Sequence, residues 1–559
     1  MVDPRELTVV VRLRDLAVEH GGEALVRVGR RRVAITGYLA GHRGDAAAGL
    51  VEAYGRDGPG FSRDLLGQFA AILIDEAQGI VVLAQDSLGL RTLYHTMRSG
   101  RLIVSTHLDA VAFHGGKAEI DPSYFATFLA HGMLPWDRAP LLGIGKLAVG
   151  ATLVIDAAGV RERLQPWRPA TRAPAPCPQP EERLRALLDD AVGAALPKAG
   201  RSACELSGGL DSTSVLATAK RLDPNCAALT LFSAAGLIGD DDPYAAAAVE
   251  ALGGPWLRLD MDRYPLFSGG PDRAVAEPGD ETRDRLRRAY GDVLAQAGVD
   301  VVLTGVGGDV VFGFGGLPPL HLADPVAAGD WPTAVATASA WARARGDARP
   351  WTHLAITFGL RPAWRHLWRL GLLGGPPKPP RWLAPAFARL DLASGGERQR
   401  TPRVAAPGRQ YLWESVYRMA ANEAASSARR RLAADTRHPL LHRPLVEFML
   451  DLPWSERDDG RQDRVLQRRA LSDRLPAVVA LRSSKGGDQR LREGSQAKAA
   501  LAEPFPGSSL VERGWVEPEL WRAQAARAGF GVFDGLATFD AAVASDLWLK
   551  TFMGQIADP

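Results

Sequence analysis

Between Arg201 and Thr304, strand-like and helix-like runs alternate, and few folds accept that pattern. SACELS, CAALTLFS, PWLRLD and VDVVLTG are short, apolar and bounded by turn residues. Between them lie DSTSVLATAKRL, DPYAAAAVEAL and TRDRLRRAYGDVLAQAG, which have helical composition and spacing. Strands joined through helices require right-handed crossovers, hence a doubly wound parallel sheet with helices on both faces. In such a sheet ligands bind outside the carboxyl ends of the strands. The chain before this region reads differently. LTVVVRL, RRVAITGYL, FAAILID, GIVVLAQD, RLIVSTH and GATLVID are β-rich and separated by Gly and Asp turns, which predicts antiparallel sheets. A proline-dense stretch within QPWRPATRAPAPCPQPEER separates the two patterns. The expected organisation is an α+β domain over 1–168, a linker over 169–182 and an α/β domain over 183–559. The last turns helical after about Pro318, with helices expected near 409–434 and over DRVLQRRALSDRL.

Composition narrows the function classes. A formal charge of +3 over 559 residues leaves no broad nucleic-acid footprint. The Arg429–Arg431 cluster is read as a solvated helix face. The three cysteines, Cys177, Cys204 and Cys226, form no C-x-x-C pair, which argues against a disulfide framework or structural zinc and favours a reducing, cytoplasmic setting. Charges spread through the first twenty residues do not fit a signal peptide. No apolar run reaches the ~18 residues of a membrane span.

Two glycine-rich loops follow strands of the α/β region. The first is ELSGGLDSTS, Glu205 to Ser214; the second is TGVGGDVVFG, Thr304 to Gly313. Glycines allow a sharp turn and close approach of a ligand, and amides at a helix start make a pocket of positive potential for phosphate. Neither loop has Walker A spacing, and GIGK at Gly143–Lys146 lacks both that motif's first glycine and its hydroxyl. Asp211 and Asp309 are expected to converge and hold Mg²⁺ against phosphate oxygens, since Mg²⁺ takes one or two carboxylates plus substrate phosphates.

SGGLDS followed by T-G-x-G-x-D resembles the ATP pyrophosphatase loops of the asparagine synthetase family. The first domain is similar to a class II glutamine amidotransferase (Ntn) domain in AITGYLAG and in LLGQFAAILIDEAQGIVVLAQDSLGLRTLYH. TRHPLLHRPLVEFMLDLP and RSSKGG resemble two further family segments. The resemblance implies cleavage of ATP between its α and β phosphates and an acyl-adenylate that an amine attacks, with ATP and Mg²⁺ as cofactors. It assigns Ser207, Gly208, Gly209, Asp211, Ser212 and Gly305 to ATP and pyrophosphate, Asp211 and Asp309 to the metal, and Lys485 to charge stabilisation.

Departures from the family pattern sharpen the expectation. The amidotransferase relatives use an N-terminal cysteine, whereas this chain begins Met1-Val2-Asp3, so the first domain is expected to lack glutaminase activity. Val306 stands where asparagine synthetases have glutamate and beta-lactam synthetases have tyrosine, and Val310 stands where many members have a second glutamate. The resemblance is therefore closest to the lasso-peptide cyclases, or macrolactam synthetases. These join the side-chain carboxylate of a precursor peptide's Asp or Glu to its N-terminal amine. A leader peptidase and a leader-binding protein are the partners this implies. Glu277 and Asp280, in AEPGDE, are carried as candidate contacts to the amine. His438 is read as packing or capping. Trp331, Trp341, Trp351, Trp364 and Trp368 are weighed between core and a peptide-binding wall. The alternatives are a small-molecule amide or lactam ligase and a non-catalytic scaffold that binds the precursor.

Overall fold

The computed structural model describes residues 6–42, 45–116, 119–135, 138–164, 167–169, 175–236, 241–267, 270, 272–279, 281–313, 322–346, 355–367, 379–393, 406–425, 432–457, 462–482, 508–530, 532 and 535–557. Its first part contains Thr8–Arg12 (β1), Ala17–His20 (β2), Val26–Val28 (β3), Arg31–Leu39 (β4), Gly67–Asp75 (β5), Ile80–Gln85 (β6), Tyr94–Arg98 (β7) and Arg101–Ser105 (β8). Glu119–Ile120 (β9), Leu141–Leu142 (β10), Gly145–Lys146 (β11), Thr152–Asp156 (β12) and Gly159–Leu164 (β13) follow. These strands make a sheet ordered β11-β7-β8-β1-β2, a second ordered β13-β12-β6-β5-β4-β3, and a small β9–β10 pair. Every pairing among them is antiparallel.

The two larger sheets stack, and the side-chain alternation of β5 shows how. Ala70, Ile72 and Ile74 face the core between the sheets, with Val9, Val11, Leu83 and Leu102. Phe69, Ala71 and Leu73 face the other way, onto Leu50 and Tyr54 of the helix Ala46–Asp57 (α1). The opposite sheet packs Val10, Ile103 and Tyr94 against Leu108–Gly115 (α2) and Pro122–His131 (α3). A strand buried on both faces carries apolar residues at every position, as the run FAAILI does.

The second part is built on five parallel strands. Arg201–Glu205 (β14), Ala227–Phe232 (β15), Trp256–Asp260 (β16), Val299–Leu303 (β17) and Asp435–Arg437 (β18) are ordered β16-β15-β14-β17-β18. The helices Pro180–Ala195 (α4), Leu210–Leu222 (α5), Asp241–Leu252 (α6) and Asp284–Gln296 (α7) accompany them. Helix α4 begins inside the expected linker because Pro180 suits the first helical turn and Glu181 and Glu182 favour its positive end. Chain order reverses between β15 and β17, on either side of β14, which makes the ends of β14 and β17 a topological switch point.

Helices continue beyond the sheet, including Trp331–Arg345, Pro385–Ala393, Pro407–Ala425 and Leu536–Ala557. The last of these returns to the first domain, where Trp548 and Phe552 share a core with Phe125 and Trp515. Another core spans both parts, joining Tyr38, Leu88, Leu90 and Trp167 to Leu184, Leu441 and Trp413.

Candidate active site

The first loop turns directly out of β14. Gly208 has φ 71°, a conformation that favours glycine. Gly209 is the N-cap of α5 and offers no side chain, so no side-chain acceptor caps the helix. The first amides of a 13-residue helix therefore face the switch point with their positive end uncompensated by a cap. The Ser207 and Ser212 hydroxyls lie 3.1 Å apart, and the Ser207 amide donates to the Ser212 oxygen at 3.2 Å. The Gly209 amide donates to the Ser207 hydroxyl at 3.4 Å and the Ser212 hydroxyl donates to the Gly209 carbonyl at 3.2 Å, so the loop closes on itself.

The second loop leaves β17 and enters the short helix Gly308–Phe312 (α8). It presses against the first loop so closely that side chains are excluded. A Cβ on Gly305 would lie 2.8 Å from the Ser212 amide nitrogen. One on Gly308 would lie 2.2 Å from the Asp211 carboxyl carbon. The two glycine-rich segments are thus two walls of one site, and Asp211 and Asp309 project from the first turns of the helices that follow them.

Both carboxylates meet one cation. Arg464 places Nη1 2.9 Å from the Asp211 Oδ2 and Nη2 against the Asp309 Oδ1, with its Nε donating to the Gly313 carbonyl at 3.1 Å. Gln467, one turn along the helix Val465–Ala470, donates to the Asp211 Oδ1 at 3.2 Å. Its Oε1 is buried without a partner among the described residues. Arg482 donates to the Gly208 carbonyl at 3.1 Å and stacks over the Tyr244 ring at 4.0 Å. Arg464, Gln467 and Arg482 were not anticipated. Arg464 precedes Gln467 by three residues, but in a chain with 67 lysines and arginines that spacing singles nothing out.

The carboxylates suit a divalent cation. They already converge on one positive group, and oxygen donors of this kind are what Mg²⁺ takes together with phosphate oxygens. Mg²⁺ held by two carboxylates completes its octahedron with phosphate oxygens and water.

The other expected residues fall elsewhere. Lys485 and Asp280 lie outside the described residues, as do Trp351, Trp368 and Arg429–Arg431. Glu277 is fully buried in a cluster with the first domain. Lys146 Nζ lies 2.7 Å from its Oε1, Tyr94 donates to the same oxygen at 2.8 Å, and Tyr124 donates to Oε2 at 2.8 Å. With both oxygens engaged in a sealed core, Glu277 is a structural anchor rather than a contact for an incoming amine. His438 accepts or donates through Nδ1 at 2.8 Å to the Thr304 hydroxyl, and its backbone pairs with the Gln68 side chain. Val306 and Val310 are partly buried against the shared core. Trp341 is buried, whereas Trp331 and Trp364 are exposed.

Residues 183–530 match the family model described as asparagine synthase, and residues 36–167 match the glutamine amidotransferase domain model. Among curated proteins, Amidase chry2 of Gibberella zeae is 24% identical over 288 residues, covering 47% of this chain. The chain spans 42% of the length of that relative. Two solved structures are similar at low identity. One is the allosteric regulatory enzyme of purine biosynthesis, with 11% identity, 52% of this chain and 72% of that chain covered, and a TM-score of 0.20. The other is glutamine phosphoribosylpyrophosphate amidotransferase from B. subtilis complexed with ADP and GMP, with 14% identity, 50% and 63% covered, and a TM-score of 0.19.

Proposed function

The chain belongs to the asparagine synthase family, and from that membership we propose that it is an AMP-forming peptide macrolactam synthetase of the lasso-cyclase kind. The family supports ATP-dependent amide-bond formation, and ATP use typically with Mg²⁺. The observation that carries the finer reading is the convergence of Asp211 and Asp309 beside the uncapped start of α5, combined with valines at 306 and 310. The first feature suits a metal–nucleotide. The second leaves the site without a side chain able to take a proton at either position, which fits a ligase that closes an amide using an amine already carried by its substrate.

In this reading the peptide's Asp or Glu carboxylate attacks the α-phosphorus of ATP and pyrophosphate leaves. The N-terminal amine then attacks the acyl carbon, AMP leaves, and the amine's proton passes to pyrophosphate or solvent. Asp211 and Asp309 would hold Mg²⁺, which neutralises charge on the phosphate oxygens when bound. Amides at Gly208 and Gly209, with the Ser207 and Ser212 hydroxyls, orient the departing pyrophosphate. Lys485 supplies positive charge at the α-phosphate and later at the tetrahedral centre. Such preorganised charge contributes about 3 kcal/mol. Holding amine and acyl group together makes closure effectively unimolecular. The partners that accompany this reading are a precursor peptide, a leader peptidase and a leader-binding protein.

The test is pyrophosphate release from ATP and Mg²⁺ with a leaderless peptide carrying Asp or Glu near its N-terminus. Loss of one water from the peptide by mass spectrometry supports the proposal. Turnover with small amino acids alone supports a small-molecule ligase, and no ATP cleavage with either supports a precursor-binding scaffold. Lys485→Ala is expected to lower ring formation roughly a hundred- to thousand-fold while ATP still binds; full activity in that variant would falsify the assignment.

A further inference from the structure

The most unusual group at the switch point is Arg464. Its side chain is 6% exposed, its guanidinium bridges two carboxylates from different loops, and its backbone has φ 55° and ψ 38°. A non-glycine residue rarely adopts that left-handed conformation without a reason in its surroundings. Here the conformation sets Arg464 as the residue before the helix Val465–Ala470 and turns its side chain back across the site, where Nε reaches the Gly313 carbonyl. Asp463, the residue before it, lies 3.7 Å from Nε on one side and binds Arg468 at 2.8 Å on the other. Gln467 steadies Asp211 from the same helix and also donates to the Ser214 hydroxyl at 3.1 Å. One short helix therefore delivers a fixed positive charge to the place where two acidic groups meet.

That place is also where the proposed function needs a divalent cation. Two half-buried carboxylates facing each other repel unless a positive charge lies between them, and the penalty grows as water is excluded. We propose that Arg464 is a built-in counter-ion that keeps Asp211 and Asp309 in register before substrate arrives and bars free metal from the pair. Arg464 yields its place when a metal arrives already bound to a polyphosphate, because that ligand brings anionic oxygens to which the displaced guanidinium can turn. Arg464 is thus a positioning residue, and the metal requirement becomes tied to the nucleotide.

The inference rests on the assignment of Asp211 and Asp309 as metal ligands, but its test uses no peptide and no turnover. Mn²⁺ binding to the full nucleotide-free chain is measured by electron paramagnetic resonance or calorimetry. Arg464→Gln is expected to bind Mn²⁺ at least tenfold more tightly than the parent, and Arg464→Gln with Asp309→Asn is expected to lose that gain. Equal affinity of Arg464→Gln and the parent overturns the proposal. Should Arg464→Gln fail to fold, Arg464→Lys serves, since an ammonium is a point charge that cannot fork between two carboxylates. Tighter Mn²⁺ binding is expected there too, and unchanged affinity overturns the proposal. Metal binding that behaves as expected in a protein that never cleaves ATP would sink the proposed ligase activity and leave this inference standing.

Discussion

Gly308 shows how a residue with no side chain controls one that has a function. Its α-carbon faces the Asp211 carboxyl so closely that an added methyl would sit 2.2 Å from the carboxyl carbon. Gly308→Ala must displace either the second loop or the carboxylate. We expect it to lower stability by about 1–3 kcal/mol in thermal melts, the usual cost of overpacking. Calorimetry should also show about a tenfold loss of Mg–ATP affinity, the scale of a single displaced contact. Unchanged nucleotide affinity in a destabilised variant would separate Asp211 from metal binding. The meeting of the two glycine-rich loops, with Asp211 and Asp309 beside each other, was legible in the sequence because the backbone demand is written in residue type. Arg464 was not, because its partner Asp211 is 253 positions away and nothing in its own neighbourhood marks it among many arginines.

At the scale of elements, the strands and helices of 201–304 follow the alternation read from composition. So do β1, β4, β5, β6, β8 and β12. Strand β18 was missed because DTR is three polar residues with no apolar period. It survives at the sheet edge by borrowing partners from the first domain. Arg91 binds Asp435 and donates to the Thr436 carbonyl at 3.0 Å. The reading of Glu277 failed for a related reason. A carboxylate in a loop is usually solvated, and only tertiary structure shows that β7, α3 and β11 bring two tyrosines and Lys146 to it. Breaking one side of a buried ion pair leaves an uncompensated charge, so Lys146→Met is expected to cost about 3–5 kcal/mol in chemical denaturation. Adding Glu277→Gln should recover much of that loss. A double variant no better than Lys146→Met alone would contradict the description of the cluster as a charge pair.

At the scale of the whole molecule, two buried histidines link stability to acid. Burial lowers His95 and His442 to about 4, from an ordinary value near 6.5. Between those values the unfolded chain binds protons that the folded chain refuses, so stability is fully present above about pH 6.5 and declines as pH falls toward 4. Asp86 and Asp324 work the other way in part of that range. Burial raises each to about 6, so their protonation favours the folded state as pH falls. With two groups on each side, the opposing contributions largely offset one another between pH 6.5 and 4, and substitution of a single group uncovers the slope. His442→Gln should hold its melting temperature better than the parent as pH falls from 6.5 to 4, and Asp324→Asn should lose more; curves parallel to the parent's in both variants would refute the balance.

The continuous core that runs from Tyr38 and Trp167 into Leu441 and Trp413 has an evolutionary corollary. Natural selection can alter a reaction by changing one residue, yet it cannot discard a domain whose removal would strip the other's own interior. Domains fused this way are held together by their common interior, whatever chemistry each performs.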